Sequence, residues 1–143
     1  MKTRISLIGA PTDIGAGSRG ASMGPEAMRV AGLQTVLEGH GLTVTDRGNL
    51  SGPANPWLPP VDGYRHLAEV VAWNQAVHDA MLAELHAGQL PILLGGDHCL
   101  GLGSISAMAG SRKSTSKLTW RCVLASSVAS ASSIVWRMPI SSM

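Results

Sequence analysis

Apolar positions in this chain fall into two kinds of run, short continuous ones and longer ones with helical spacing. Arg4–Ala10 (RISLIGA) is a short apolar run that reads as a buried strand, Leu42–Thr45 (LTVT) reads as a second strand, and Leu90–Leu94 (LPILL) as a third, buried one. Between the second and third, Tyr64–Ala87 repeats apolar residues at Leu67, Val70, Val71, Val77, Met81, Leu82 and Leu85, which predicts a long helix closed by Gly88. An earlier helix is expected from Ser22, as cap, to about Glu38. Pro25 and Glu26 suit its first turn, Met28, Val30 or Ala31, Leu33 and Leu37 can form its inner face, and Gly39 and Gly41 end it. A last helix begins around Ser104–Ala109. Pro11–Met23 reads as a loop rich in Gly, Ser and Thr, and Arg47–Gly63 as a long loop with four prolines.

Strand and helix therefore alternate three times. That order implies an α/β fold, with a parallel sheet covered by helices on its faces and joined by right-handed crossovers. Three strands in the order 2-1-3 would leave the third with an open edge. With 143 residues the chain suits one domain, and 45% apolar residues suit a globular core. Four Trp, one Tyr and no Phe leave the aliphatic residues and Met to fill it. A formal charge of +2 argues for neither nucleic acid nor membrane as a partner.

That charge hides a break. Residues 1–110 hold all nine acids, all five His and all 17 Gly, with six basic residues, a net −3. Residues 111–143 hold five basic residues and no acid, and ten of the 33 are Ser. The second segment is expected to be poorly folded, a different kind of sequence from the first. Cys99 and Cys122 lie on opposite sides of the break and make no disulfide framework, which favours a reducing compartment. The apolar run after Lys2 and Arg4 is too short for a signal peptide, so the expected location is cytoplasmic.

The most informative chemistry lies at Leu90-Pro-Ile-Leu-Leu-Gly-Gly-Asp-His-Cys99. A buried strand ends, two glycines turn the chain, and Asp97 and His98 follow. The carboxyl ends of parallel strands open onto the ligand crevice of such sheets. An imidazole there suits Mn, Fe or Zn, and Asp97 can either ligate or orient the imidazole. The plain alternative is a turn with a hydrogen-bonded Asp. Gly15-x-Gly17-x-x-Gly20, with Asp46 after the second strand, imitates a dinucleotide-binding fingerprint. The spacing argues against it, because Pro11–Ile14 separate the strand from Gly15 and Gly24-Pro25 separates Gly20 from the helix. A glycine-rich pocket wall is the better reading.

Taken together, IGAPTDIGAGSRGASMGPEAMR (Ile8–Arg29) and LPILLGGDHCLGLGSISA (Leu90–Ala107) resemble the opening of the arginase (ureohydrolase) family and its Gly-Gly-Asp-His motif. Asp46–Tyr64 is similar to the second-strand loop of bacterial arginases. The resemblance implies a three-layer α/β/α fold and a pair of manganese ions whose bridging hydroxide attacks L-arginine, giving L-ornithine and urea. By the same resemblance His98 is a metal ligand, Asp97 its supporting neighbour, L-arginine the small-molecule substrate, and the assembly a homo-oligomer. Agmatine or another guanidino compound is the alternative substrate.

The family's Asp-Ala-His-x-Asp and Asp-x-Asp ligand motifs are missing after position 110, and Trp136-Arg137-Met138-Pro139 lacks the histidine of the family's His-Gly-Met-Pro. The expectation is therefore a chain truncated to about three strands and inactive alone, by a shift of reading frame near Gly110. Reading the gene past that codon in the other two frames tests this, since one of them should restore Asp-Ala-His-x-Asp. A non-catalytic interaction protein on the same half-fold is the rival. Among the remaining residues, His78 is expected to pack in the core, and His40, His66 and His86 to lie at the surface or at helix ends. Cys99 should pack, Arg19 should line the pocket or stay solvated, and Trp57 should hold its proline loop down.

Overall fold

The structure, a computed structural model, describes residues 3–111. The expectations for the tail, with its basic residues and Cys122, lie outside the described residues apart from Ser111.

Three strands, β1 (Arg4–Ala10), β2 (Thr43–Asn49) and β3 (Leu90–Gly95), form a parallel sheet in the order β2-β1-β3. β1 and β3 run in unbroken register from Ile5 opposite Leu90 to Ala10 opposite Gly95. The register of β1 with β2 slips between Leu7 and Gly9. Helices α1 (Gly24–Val30) and α2 (Leu33–Gly39) follow β1, α3 (Leu67–His86) precedes β3, and α4 (Gly101–Gly110) follows it.

Side chains alternate across a strand, so β1 feeds two cores. Ile5 and Leu7 join Leu94 under Met28, Leu33 and Leu37 of the first two helices. Ile8 and Ala10 pack on the other side with Trp73, Val77 and Met81 of α3, and with Leu100 and Ala107. The sheet is thus the middle of three layers, as expected. Where α3 and α4 cross, the Gly103 amide donates to Asn74 Oδ1 at 2.6 Å. A Cβ on Gly103 would collide with the Asn74 carbonyl, so the small residues of GLGSISA are what let the helices approach.

Several element boundaries differ from expectation, among them those of the first and last helices. The helix read from Ser22 to Glu38 is broken at Gly32, which takes φ 79° and starts α2. Ser22 does not cap it, because residues 21–23 form a 3-10 turn and α1 begins at Gly24 with no side-chain cap. α4 starts at Gly101, three residues ahead of Ser104, since the turn at 98–100 feeds it directly.

Candidate functional site

The carboxyl ends of β1 and β3 lie side by side, and the glycine-rich loop after β1 folds against the turn after β3. That contact depends on missing side chains. A Cβ on Gly96 would overlap the Ala21 backbone, and one on Gly24 would stand 3.1 Å from the Gly95 carbonyl oxygen. Asp97 locks the pair. Its carboxylate accepts the Gly15 N–H at 2.6 Å and the Cys99 N–H at 3.1 Å, while the residue is 8% exposed.

His98 follows with its side chain exposed, and its ring makes no hydrogen bond to another described residue. Asp97 and His98 therefore divide the work. The carboxylate is used by backbone amides, and the imidazole is presented at the strand's end. Cys99 packs beside the α3–α4 core. Burial, followed by the Asp97 carboxylate, pushes its thiol up to about 12, so it stays protonated and is a poor metal ligand.

Asp46, the acid that imitated a ribose-binding residue, is already engaged. Arg29 grips it with Nε at 2.7 Å and a terminal nitrogen at 2.9 Å. The same guanidinium reaches Glu26 at 2.9 Å and Asn49 at 2.6 Å. The hydrogen bond from Arg29 holds the Asp46 carboxyl below its ordinary range, and the same contact raises the Arg29 pKa. This network staples α1 to β2.

A second wall is the proline-rich loop 50–66. His66, expected at the surface or at a helix end, stands at the start of α3 and is 9% exposed. Its Nδ1 lies 2.8 Å from the Ile14 carbonyl, and its Nε2 lies 3.1 Å from the Leu58 amide. Both contacts are satisfied when Nδ1 carries the proton and Nε2 accepts. The residue thereby ties the proline loop to the glycine loop. No local pattern announces this, since both partners are backbone groups far along the chain.

Trp57 does not hold its loop down as expected. Trp73 of α3 does so, donating Nε1–H to the Pro53 carbonyl at 2.9 Å. Trp57 is 37% exposed, and the Arg19 guanidinium lies 5.2 Å above its ring. His78 sits half-buried between α3 and α4, with Nδ1 2.9 Å from Ser106 Oγ. Between the two loops opens a concavity of about 600 Å³, lined by Asp13, Arg19, Gly20, Ser22, Met23, Ala54, Asn55 and Trp57.

The donors present can be tested against manganese. Among the described residues, no group of three or more His, Cys, Asp or Glu comes together to hold a metal ion. Each carboxylate oxygen of Asp97 already accepts one backbone amide, and among the described residues no two further His, Cys, Asp or Glu side chains gather with His98. These residues do not, on their own, fit a pair of ions.

Comparison with known proteins bears on the whole arrangement. The model of the arginase family matches residues 3–120, ending past the compositional break at 110. The arginase of Brevibacillus brevis is 36% identical over 109 residues, which are 76% of this chain and 37% of that one. The arginase of Agrobacterium fabrum is 36% identical over 72% of this chain and 32% of its own. Among solved structures, the Bacillus caldovelox arginase matches with TM-score 0.70 and 34% identity, over 77% of this chain and 37% of that one. The Bacillus subtilis arginase matches with TM-score 0.67 and 31% identity, over 76% and 36%. The chain thus spans about a third of the length of the relatives it matches. A family-model match over most of the chain, joined to relatives of more than 30% identity and to arginase structures with TM-scores up to 0.70, leads to one conclusion: this chain belongs to the arginase family.

Proposed function

We propose that residues 3–110 are the amino-terminal part of an arginase-type hydrolase framework, in which His98 is one metal ligand and Asp97 fixes the turn that presents it. The reaction proposed for the complete framework is hydrolysis of L-arginine to L-ornithine and urea, with manganese as the cofactor, and the cytoplasm as its place. The observation that carries this reading is the exposed imidazole of His98, held at the carboxyl end of β3 by a turn whose backbone packs closely on that of Ala21.

We further infer that this chain does not catalyse the reaction alone. No acid follows Asp97 and no histidine follows His98, so the remaining 45 positions offer no carboxylate or imidazole to share a cation. Metals of this kind rely on several oxygen and nitrogen donors converging. One imidazole leaves a cation mostly hydrated.

A urea assay with L-arginine and Mn²⁺ on the purified chain tests the second inference, and robust turnover would overturn it. A chimera tests the first. Residues 3–110 replace the matching part of the Bacillus caldovelox arginase, with and without His98→Ala. The chimera is expected to release urea, and His98→Ala to lower its manganese content. A folded chimera whose manganese content ignores that substitution contradicts the assignment.

A further inference from the structure

The two edges of the sheet are not alike. The outer half of β2 carries Asp46, Arg47 and Asn49, side chains of the kind that suit a strand left in water. β3 (LPILLG) holds no charged residue, and among the described residues nothing pairs with it on the side away from β1. Its burial is also incomplete. β1 is buried from Ile5 to Ala10, whereas Leu90, Ile92 and Leu93 are half-buried. A run this apolar belongs inside a parallel sheet, with a neighbour on each side.

α4 is uncovered in a matching way. It packs chiefly on α3 rather than on the strands, so little of the three-stranded sheet lies beneath it. It carries no charged residue. Its inner face, with Gly103, Ser104 and Ala107, is buried. Leu102, Ile105 and Ala109 form a second apolar stripe at helical spacing, and this one is exposed, Leu102 at 71% and Ile105 at 57%. A helix apolar on both faces calls for cover on both.

The connectivity of the chain selects what supplies that cover. β2 leads through α3 to β3, passing over β1, and α4 follows on the same face as α3. Crossovers between parallel strands of one sheet are right-handed. With the helix on that face, the next strand keeps the hand only by moving the same way again, to the outer side of β3. The sequence that follows has the pattern of a strand. Positions 118–125 read Leu-Thr-Trp-Arg-Cys-Val-Leu-Ala, with Leu118, Trp120, Cys122 and Leu124 at every second place. The six polar residues at 112–117 are an ordinary length for a connection from helix to strand. Charge favours the same docking, since residues 111–143 carry a net +5 and residues 1–110 a net −3.

We propose that residues 118–125 add to the outer edge of β3 as a fourth parallel strand, with Leu118, Trp120, Cys122 and Leu124 turned toward Leu102 and Ile105 of α4. The segment after Gly110 was expected as a whole to fold poorly; its first apolar stretch thereby gains a partner within the same chain. The open edge is closed without a second molecule, which shields it from edge-to-edge association. Nothing in this proposal depends on the metal-ligand reading of His98.

Hydrogen exchange of the 143-residue chain, read by mass spectrometry, tests it. The amides of 119–124 are expected to exchange at least roughly tenfold more slowly than those of 128–143, equally at low and high protein concentration. Val123→Pro removes a strand N–H and should abolish that protection, quicken exchange within β3 and increase light scattering. Val128→Pro, outside the segment, should change none of these. Unchanged exchange within α3 checks the fold of each variant. The place of docking is read separately. In a Cys99→Ser background, Leu93→Cys, on the α4 side of β3, should be joined to Cys122 within one chain by a short bis-maleimide, and Val36→Cys on α2 should not. Neither the exchange of the unsubstituted chain nor the cross-link depends on Val123→Pro folding. Exchange at 119–124 as fast as at 128–143 would overturn the proposal. So would protection that disappears on dilution, which would give the edge to a second copy, or a Cys122 cross-link no more frequent from Leu93→Cys than from Val36→Cys.

Discussion

Two walls meet at the carboxyl ends of the strands, and they are held by opposite means. The glycine turn at 95–98 is held by what is missing: backbone packs on backbone at Gly96 and Ala21, and a single carboxylate ties the amides of Gly15 and Cys99. The proline loop at 50–66 is held by what is added, the ring of His66, the indole of Trp73 and the amide of Asn55. The first kind of wall leaves a local mark, because its requirements fall on consecutive residues. The second leaves none, because its anchors are scattered from Asp13 to Trp73. The comparison teaches that a motif records where backbones touch, while staples between loops are visible only after folding.

Substitutions can break this contrast, and the largest effect belongs to Trp73. It is buried in the α3 core and anchors the proline loop at once. Trp73→Ala is expected to lose about 3–5 kcal/mol of stability, whereas Trp73→Phe keeps most of the packing and loses about 1 kcal/mol with the hydrogen bond. Urea denaturation of both variants checks the split. Equal losses would mean that the indole N–H, rather than the ring, carries the anchor.

Gly96→Ala comes next. Its methyl group meets main chain that cannot rotate away, for an expected cost of about 1–3 kcal/mol. Hydrogen exchange should quicken at the Gly15 and Cys99 amides and stay unchanged at Leu58. The reverse pattern is expected of His66→Ala, at about 1–3 kcal/mol, with faster exchange at Leu58 and easier proteolysis within 57–63. If each variant loosened both walls equally, the two would be one structural unit and the contrast would dissolve.

The smallest effect is that of the exposed network at Arg29. The Asp46 carboxyl is held below its ordinary range, so its contribution is complete above the unfolded value, near pH 4, and is lost as pH falls through the folded value. Asp46→Asn should therefore lower stability at neutral pH by less than about 1 kcal/mol and change it little below the folded value, which flattens the acid limb. Acid titration followed by circular dichroism measures it, and a steeper acid limb in the variant would contradict the sign.

Much of the fold was legible for a physical reason. The strand at Arg4–Ala10 is buried from Ile5 onward, that at Leu90–Gly95 is buried or half-buried throughout, both read as apolar runs, and α3 announces itself by its spacing. β2 was read short, ending at Thr45, because its outer half carries Asp46, Arg47 and Asn49 at an exposed edge. Gly32 looked like an interior helix residue, and only its left-handed conformation shows that it divides two helices. At the candidate site, Asp97 and His98 were singled out from their place after a strand, although the partners of Asp97 were not, since Gly15 lies 82 residues away. His66 was read as a surface or helix-end residue and does stand at the start of α3, but a histidine before a helix gives no sign of which backbone groups it will meet.

The central claim is that this chain presents one ligand of an arginase-type metal site and does not hold the metals by itself. Manganese content after equilibrium dialysis of the purified 143-residue chain against Mn²⁺, followed by desalting, addresses it directly. The account predicts no retained manganese and no difference between the chain and His98→Ala after desalting. Two retained ions per chain, lost in His98→Ala, would contradict it.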